Sequence, residues 1–207
     1  MPPDIGAASV DTKERLIEEA TRLFAERGFY GVSIAVIAEE CGITKQSLLY
    51  HFSSKEKLYE AVIRSISQNT IRMLRSYQSE ERAPEAQLEA FFMAQLDHAM
   101  EQPVSSRVIL RELMDNRRRA EAVEEWMLKP YLDGIADLVG QVPAFRSRSW
   151  EERFSFAYQI QGAIFYFMIS TPTLENMYGR DRYEGIAEAF RSTLKAQIER
   201  FQEGANT

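Results

Sequence analysis

The residues best suited to chemistry in this chain lie between Ser33 and Lys55, where it reads SIAVIAEECGITKQSLLYHFSSK. Lys45 and Lys55 offer ammonium groups, Gln46 a carboxamide that donates and accepts at once, Ser33, Thr44, Ser47 and Tyr50 hydroxyls, and His51 an imidazole. Such a set makes directional hydrogen bonds and charge contacts. It does not build covalent catalysis, because no nucleophile–base pair, phosphate-cradling loop or metal-ligand cluster is visible along the chain. Adjacent acids such as Glu80-Glu81 and Glu124-Glu125 point in different directions on a helix. The single cysteine is Cys41 and the two histidines are His51 and His98, so neither an intrachain disulfide nor a zinc site is expected. Enzyme activity, cofactor and metal are all expected to be absent.

The elements that must hold these groups are short and well punctuated. Ile34, Ile37 and Ala38 recur at one-turn spacing behind Ser33, a good N-cap, and Gly42 stands where a helix ends in a residue at positive φ. The spacing predicts a helix over about 33–41. Thr44 then caps a second helix, Lys45 to about His51, with Lys45, Gln46, Ser47 and Tyr50 outward and Leu48 inward. A small Ala38 lets the second helix cross closely, and Ile37, Ile43 and Leu48 supply the contacts that set the angle. This is the pattern of a helix-turn-helix, whose second helix is free to enter the groove of a duplex. Gln46 suits a bidentate contact to adenine and Lys45 a contact to guanine or phosphate.

Around this core the sequence resembles the TetR family of one-component transcriptional regulators. The resemblance is carried by Phe29-Tyr30-Gly31-Val32-Ser33-Ile34, Ile37-Ala38, Cys41-Gly42-Ile43, Leu48-Leu49-Tyr50-His51-Phe52 and Ser53-Ser54-Lys55-Glu56, and covers about the first sixty residues. It implies that Tyr50 and His51 touch phosphates and set register. Lys55 in the first turn of the fourth helix and Ser33 at the start of the second sit where free amides and the helix dipole favour a phosphate. Gln46 departs from the small residue more usual in the family.

The flanking chain reads as all-α, with about nine helices and no strand-like alternation. Asp11-Thr12-Lys13-Glu14 is a capping-box-like start for helix one, which Gly28 ends. Ser53, with Glu56 three residues on, opens a long helix that keeps its period to about Tyr77 without Pro or Gly. Further stretches fall at about 84–101, 105–118, 120–140, 149–170 and 181–202, separated by Pro84, Pro103, Pro143 and a loop from Thr171-Pro172 to Gly179. The expected division is a DNA-binding domain over 1–55 and an effector-binding and dimerisation domain over 56–207. No run is long and apolar enough for a membrane span and no signal pattern precedes Asp11, so a cytoplasmic protein without membrane contact is expected.

Net charge is −6, and residues 1–60 carry seven basic against ten acidic side chains. The sign of the whole therefore argues nothing for a polyanion partner, and only the local face around Lys45, His51, Lys55 and Lys57 does. The stretch from Phe154 to Ile169 is apolar nearly all round and must be covered on every side. With the last helix it resembles the pair that forms the four-helix dimer interface of the family, through Gly162, Ala163, Tyr166, Ile186, Phe190 and Leu194. The resemblance also implies an effector pocket in the second domain, for which Phe92, Leu96, Arg111, Asn116, Trp126, Tyr131, Tyr158, Gln161 and Phe165 are candidates. The expected protein is a homodimeric repressor on a pseudo-palindromic double-stranded operator, released by a small, largely apolar effector. The alternative is a DNA-bound architectural or partner-recruiting protein with no small effector.

Overall fold

The computed structural model describes residues 5–78, 81–115 and 127–203. Among these the chain is helical with no strand: α1 Ile5–Arg27, α2 Ile34–Glu40, α3 Lys45–His51, α4 Lys55–Tyr77, α5 Pro84–Glu101, α6 Pro103–Asp115, α7 Lys129–Gln141, α8 Trp150–Tyr178 and α9 Arg180–Glu203, with a 3-10 turn at Pro143–Phe145. No described helix is long and apolar enough to cross a membrane, and no group of three or more potential metal ligands occurs among the described residues.

The chain divides into two compact units, Met1–Gln68 with Val104–Met127, and Asn69–Pro103 with Leu128–Thr207. This partition differs from a split at residue 55: α4 contributes to both units, and most of α6 belongs with the N-terminal helices. The reason lies in two adjacent α6 side chains. Arg111 donates from Nε to the Ala25 carbonyl at 3.0 Å and from its guanidinium to the Glu26 carbonyl at 2.9 Å. Those are orphan acceptors at the end of α1, which a cation satisfies well. Next to it, the Tyr59 hydroxyl on α4 donates to buried Glu112 at 2.7 Å.

The core of the first unit is built from Leu16, Ala20, Leu23 and Phe24 of α1, Ile37 and Ala38 of α2, Leu48 of α3 and Leu58, Tyr59 and Val62 of α4, all buried. Tyr59 meets Phe24 and Phe29 edge-on, each with ring centroids 5.0 Å apart, the arrangement that ring quadrupoles favour. In the second unit Leu88, Phe91, Phe92, Ile135, Leu138, Ile160, Ile164, Leu194 and Ile198 close the core. A Cβ on Gly134 would lie 2.7 Å from Leu74 Cδ2, so a larger residue there would force the Leu74 side chain to move.

Four element boundaries differ from the sequence expectation. Helix α1 begins at Ile5 and runs through Asp11-Thr12, so no cap stands there. The cap of α4 is Ser54, whose Oγ accepts from Lys57 N at 3.2 Å, and not Ser53. Helix α7 starts at Lys129, with Pro130 in its first turn where a missing N–H is harmless; the expected stretch 120–126 lies outside the described residues. The expected loop from Thr171 to Gly179 is instead helix, since α8 passes through Pro172 and ends at Gly179. Proline removes one i→i−4 donor and its ring crowds the carbonyl four residues back. Here the hydroxyls of Ser170 and Thr171 donate back to the carbonyls of Tyr166 and Phe167, at 2.7 and 3.3 Å, contacts of the kind that bend a helix. Thr171 also bonds the Tyr183 hydroxyl of α9 at 3.0 Å, so the stretch after the proline is held by its neighbour.

Candidate nucleic-acid interface

The turn between α2 and α3 is closed by backbone alone. Ile43 N donates to Ala38 O and Gly42 N to Glu39 O, both at 2.9 Å, with Gly42 at φ +67°. These are the paired bonds of a Schellman ending, and they need a left-handed residue at this place. At the other ends the caps are side chains. Ser33 Oγ accepts from Val36 N at 3.3 Å and Thr44 Oγ1 accepts from Ser47 N at 3.1 Å. Each hydroxyl keeps its proton for an external acceptor, because capping uses only a lone pair. Leu48 is 0% exposed and fixes the rotation of α3, so the opposite face must point outward. On that face Thr44, Lys45 and Gln46 are exposed, Ser47 is half-buried and Tyr50 is 86% exposed. An aromatic ring that open is unsupported by the fold and available to a partner. His51 stacks edge-on against Tyr50, centroids 5.6 Å apart, and bounds the same surface.

Lys55 has a different place from its neighbours. Its ammonium turns inward and donates to the carbonyls of Phe29 at 2.9 Å and Val32 at 3.0 Å, and lies 4.2 Å from the Phe29 ring centroid. It therefore ties the turn between α1 and α2, and two of its three N–H groups are engaged. The first turn of α4 also carries its own anion: the Glu56 carboxyl is held below the usual carboxylate range by its own backbone N–H and then by the Ser54 hydroxyl. Lys57 pairs with Glu60 at 2.8 Å. The cation left facing outward from α3 is Lys45. Acids of the unit are partly neutralised in place, as Arg22 pairs with Glu19, with Glu26 at 3.0 Å and with Glu40 at 3.4 Å.

The candidates for an effector pocket do not form one group. Phe92, Leu96, Tyr131 and Gln161 are buried in the second unit, where the Tyr131 hydroxyl donates to Gln161 Oε1 at 2.7 Å. Arg111 belongs to the first unit and caps α1. Tyr158 is 50% exposed and Phe165 half-buried, on the outer side of α8. Asn116 and Trp126 lie outside the described residues. Gln95, absent from the sequence-based candidates, joins Tyr131 through its side-chain amide; its place one turn after Phe91 and Phe92, on their buried face, was the available signal. An open groove of about 680 Å³ in the same unit is lined by Phe145, Phe156, Phe201, Arg148 and Arg200 among others, and by none of the candidates.

The open side of α8 exposes Tyr158, Tyr166 and Ile169, whereas the exposed positions of α9 are mostly charged or polar. Gly162 and Tyr166 are exposed, Tyr166 at 75%, while Ala163, Ile186 and Phe190 are half-buried. Leu194 is only 2% exposed within its own chain, so it supports the interior and not this face. Cys41 is half-buried at the C-cap of α2.

Residues 16–62 match the model for bacterial regulatory proteins of the tetR family. The N-terminal part of the chain is thus similar to the TetR family. Among curated relatives, the HTH-type transcriptional regulator RutR of Escherichia coli K12 is 33% identical over 102 residues, 49% of this chain and 48% of that protein. The HTH-type transcriptional repressor KstR2 of Mycolicibacterium smegmatis is 36% identical over 64 residues, 31% of each. The match thus spans about half the length of RutR and less of KstR2. Solved structures resemble the fold over most of the chain. A TetR-like transcriptional regulator from Rhodococcus sp. RHA1 superposes with a TM-score of 0.66 at 19% identity, covering 93% of this chain and 96% of that one. The fatty acid degradation regulator FadR from Bacillus halodurans gives 0.65 at 16% identity, covering 88% and 93%.

Proposed function

We propose that this chain is a ligand-responsive transcriptional regulator of the TetR family that binds a pseudo-palindromic operator as a homodimer and represses until a small effector releases it. The observation that carries the reading is α3: a short helix with an inward Leu48, a Thr44 side-chain cap at its start and the Phe52 backbone N–H at its end, while Lys45, Gln46 and Tyr50 are exposed. Gln46 would read a base edge in the major groove, Lys45 a base or phosphate, and Tyr50, His51, Thr44 and Ser33 would position the head on phosphates. Lys55 acts behind them, by holding the turn that presents Ser33.

Pairing of two heads needs a partner surface. The apolar side of α8 with Tyr166, Gly162 and Phe190 supports a second copy as that partner, since a chain in water gains by covering such a face. Two reading helices would then enter successive major grooves about 34–36 Å apart. Ligand-driven change in the second unit reaches the first through α4, which is one uninterrupted helix from Lys55 to Tyr77 and shares residues with both.

The test is sedimentation velocity together with fluorescence anisotropy on a duplex carrying the protein's own promoter in low salt. A dimer that binds the duplex is expected, and Tyr166→Arg should give a folded monomer that binds at least about tenfold more weakly, because one head loses the avidity of two. A monomeric wild-type protein, or one indifferent to that duplex, sinks the proposal.

A further inference from the structure

Three polar side chains from three helices meet in the core of the second unit. Gln95 of α5, Tyr131 of α7 and Gln161 of α8 are 7%, 4% and 4% exposed. The Gln95 amide Nε2 donates to the Tyr131 hydroxyl, which in turn donates to Gln161 Oε1 at 2.7 Å. Gln95 Oε1 and Gln161 Nε2 are buried and find no hydrogen-bond partner among the described residues.

This remainder does not depend on which way the amides are turned. A phenol that gives its one proton to one glutamine can only accept an N–H from the other, so with both bonds made the two amides present opposite ends to it whichever way they are turned. One amide acceptor and one amide donor are always left over. Unpaired polar atoms are among the more destabilising things a core can contain, whereas three apolar residues of similar size would pack without penalty. Burial pushes the Tyr131 hydroxyl well above the ordinary phenol range, with only the Gln95 amide pulling the other way. The phenol therefore stays protonated and the trio is neutral.

The geometry points to an effector site built on this trio, for an uncharged molecule whose amide or lactam edge donates to Gln95 Oε1 and accepts from Gln161 Nε2. It rests on the effector-responsive reading above and adds the chemical class of the effector. A carboxylate is a poor match: it brings acceptors only, and it brings a charge to a cluster of neutral groups. The three side chains come from three different helices, so a molecule seated here bridges α5, α7 and α8, the usual kind of place for a ligand in a helical bundle.

Benzamide is the probe, with benzoate as its charged isostere and melting of the full-length protein without DNA as the readout. For a Kd of about 1 mM, benzamide at about 10 mM should raise the melting temperature by about 3–6 °C, and benzoate should leave it unchanged. Gln161→Leu should weaken benzamide binding about tenfold or more. The variant Gln95→Leu/Tyr131→Phe/Gln161→Leu should melt at or above the wild-type temperature and ignore benzamide. No benzamide shift, an equal shift with benzoate, a triple variant that keeps the response, or one that melts well below wild type would each overturn the site. The two readings separate on DNA. Benzamide that binds here without releasing the duplex refutes its role as effector class and leaves the DNA-binding proposal intact. A compound that releases DNA equally from the triple variant keeps the regulator and removes the site.

Discussion

Lys55→Met separates a structural cation from a phosphate contact. In the structure the Lys55 ammonium makes two charge-assisted hydrogen bonds, to Phe29 O and Val32 O, and sits over the Phe29 ring. Each such bond is worth about 1.5–3 kcal/mol when its acceptor has no substitute, and the ring contact about 0.5–1. The site is half-buried, so water reaches part of what is lost, and methionine keeps most of the apolar stem. A loss of about 2–4 kcal/mol follows, a large share of the ~5–15 that holds a domain together. At this chain length that lowers the melting temperature by about 4–16 °C, read by circular dichroism at 222 nm. The salt dependence of DNA binding, measured well below the transition, should keep its slope, since an ammonium already bound to carbonyls releases no counterion from DNA. Deleting a true phosphate contact would lower that slope by about 0.9 per subunit. A Lys55→Met protein that melts within about 1 °C of wild type and shows the smaller slope would refute the reasoning and return Lys55 to the phosphate.

Other expectations follow from the same surface. Gln46→Ala should relax discrimination at one base position by about 1–3 kcal/mol while leaving binding to unrelated duplex nearly unchanged, and Tyr50→Phe should weaken both alike by about 1 kcal/mol; competition with single-base variants of the bound duplex checks this, and the reverse pattern would exchange their roles. Burial, and then the Glu19 carboxylate, push the Cys41 thiol up, so less of it is thiolate than the roughly one quarter expected for a free cysteine at pH 8. Iodoacetamide should thus label the native protein more slowly than the urea-unfolded one, and equal rates would show Cys41 to be an open, reactive thiol.

What could be read from residues alone is what neighbours in the chain decide. Ser33 and Thr44 cap, Gly42 takes positive φ, and Leu48 sets which side of α3 faces out; each depends on groups within about one helical turn, so the α2–turn–α3 segment was legible. The start of α8 at Ser149 is the same kind of feature, a capping box closed by Glu152. What tertiary structure alone decided concerns groups far apart in sequence. Pro172 looks like a stop, yet α8 runs on through it, beside a Thr171 hydroxyl that meets the distant Tyr183 hydroxyl. Arg111 looks like a ligand for an effector until α1 presents two carbonyls 85 and 86 residues away. Leu194 and Phe190 share one apolar stripe, and only packing makes the first an inner residue and the second a half-open one. Lys55, placed correctly at the start of α4, still gave no sign of its direction, because a flexible cation goes to whatever acceptors the rest of the chain leaves unpaired. Local hydrogen bonding is written in short motifs, whereas the destination of a long side chain is set by the competition among all the partners that folding brings within its reach.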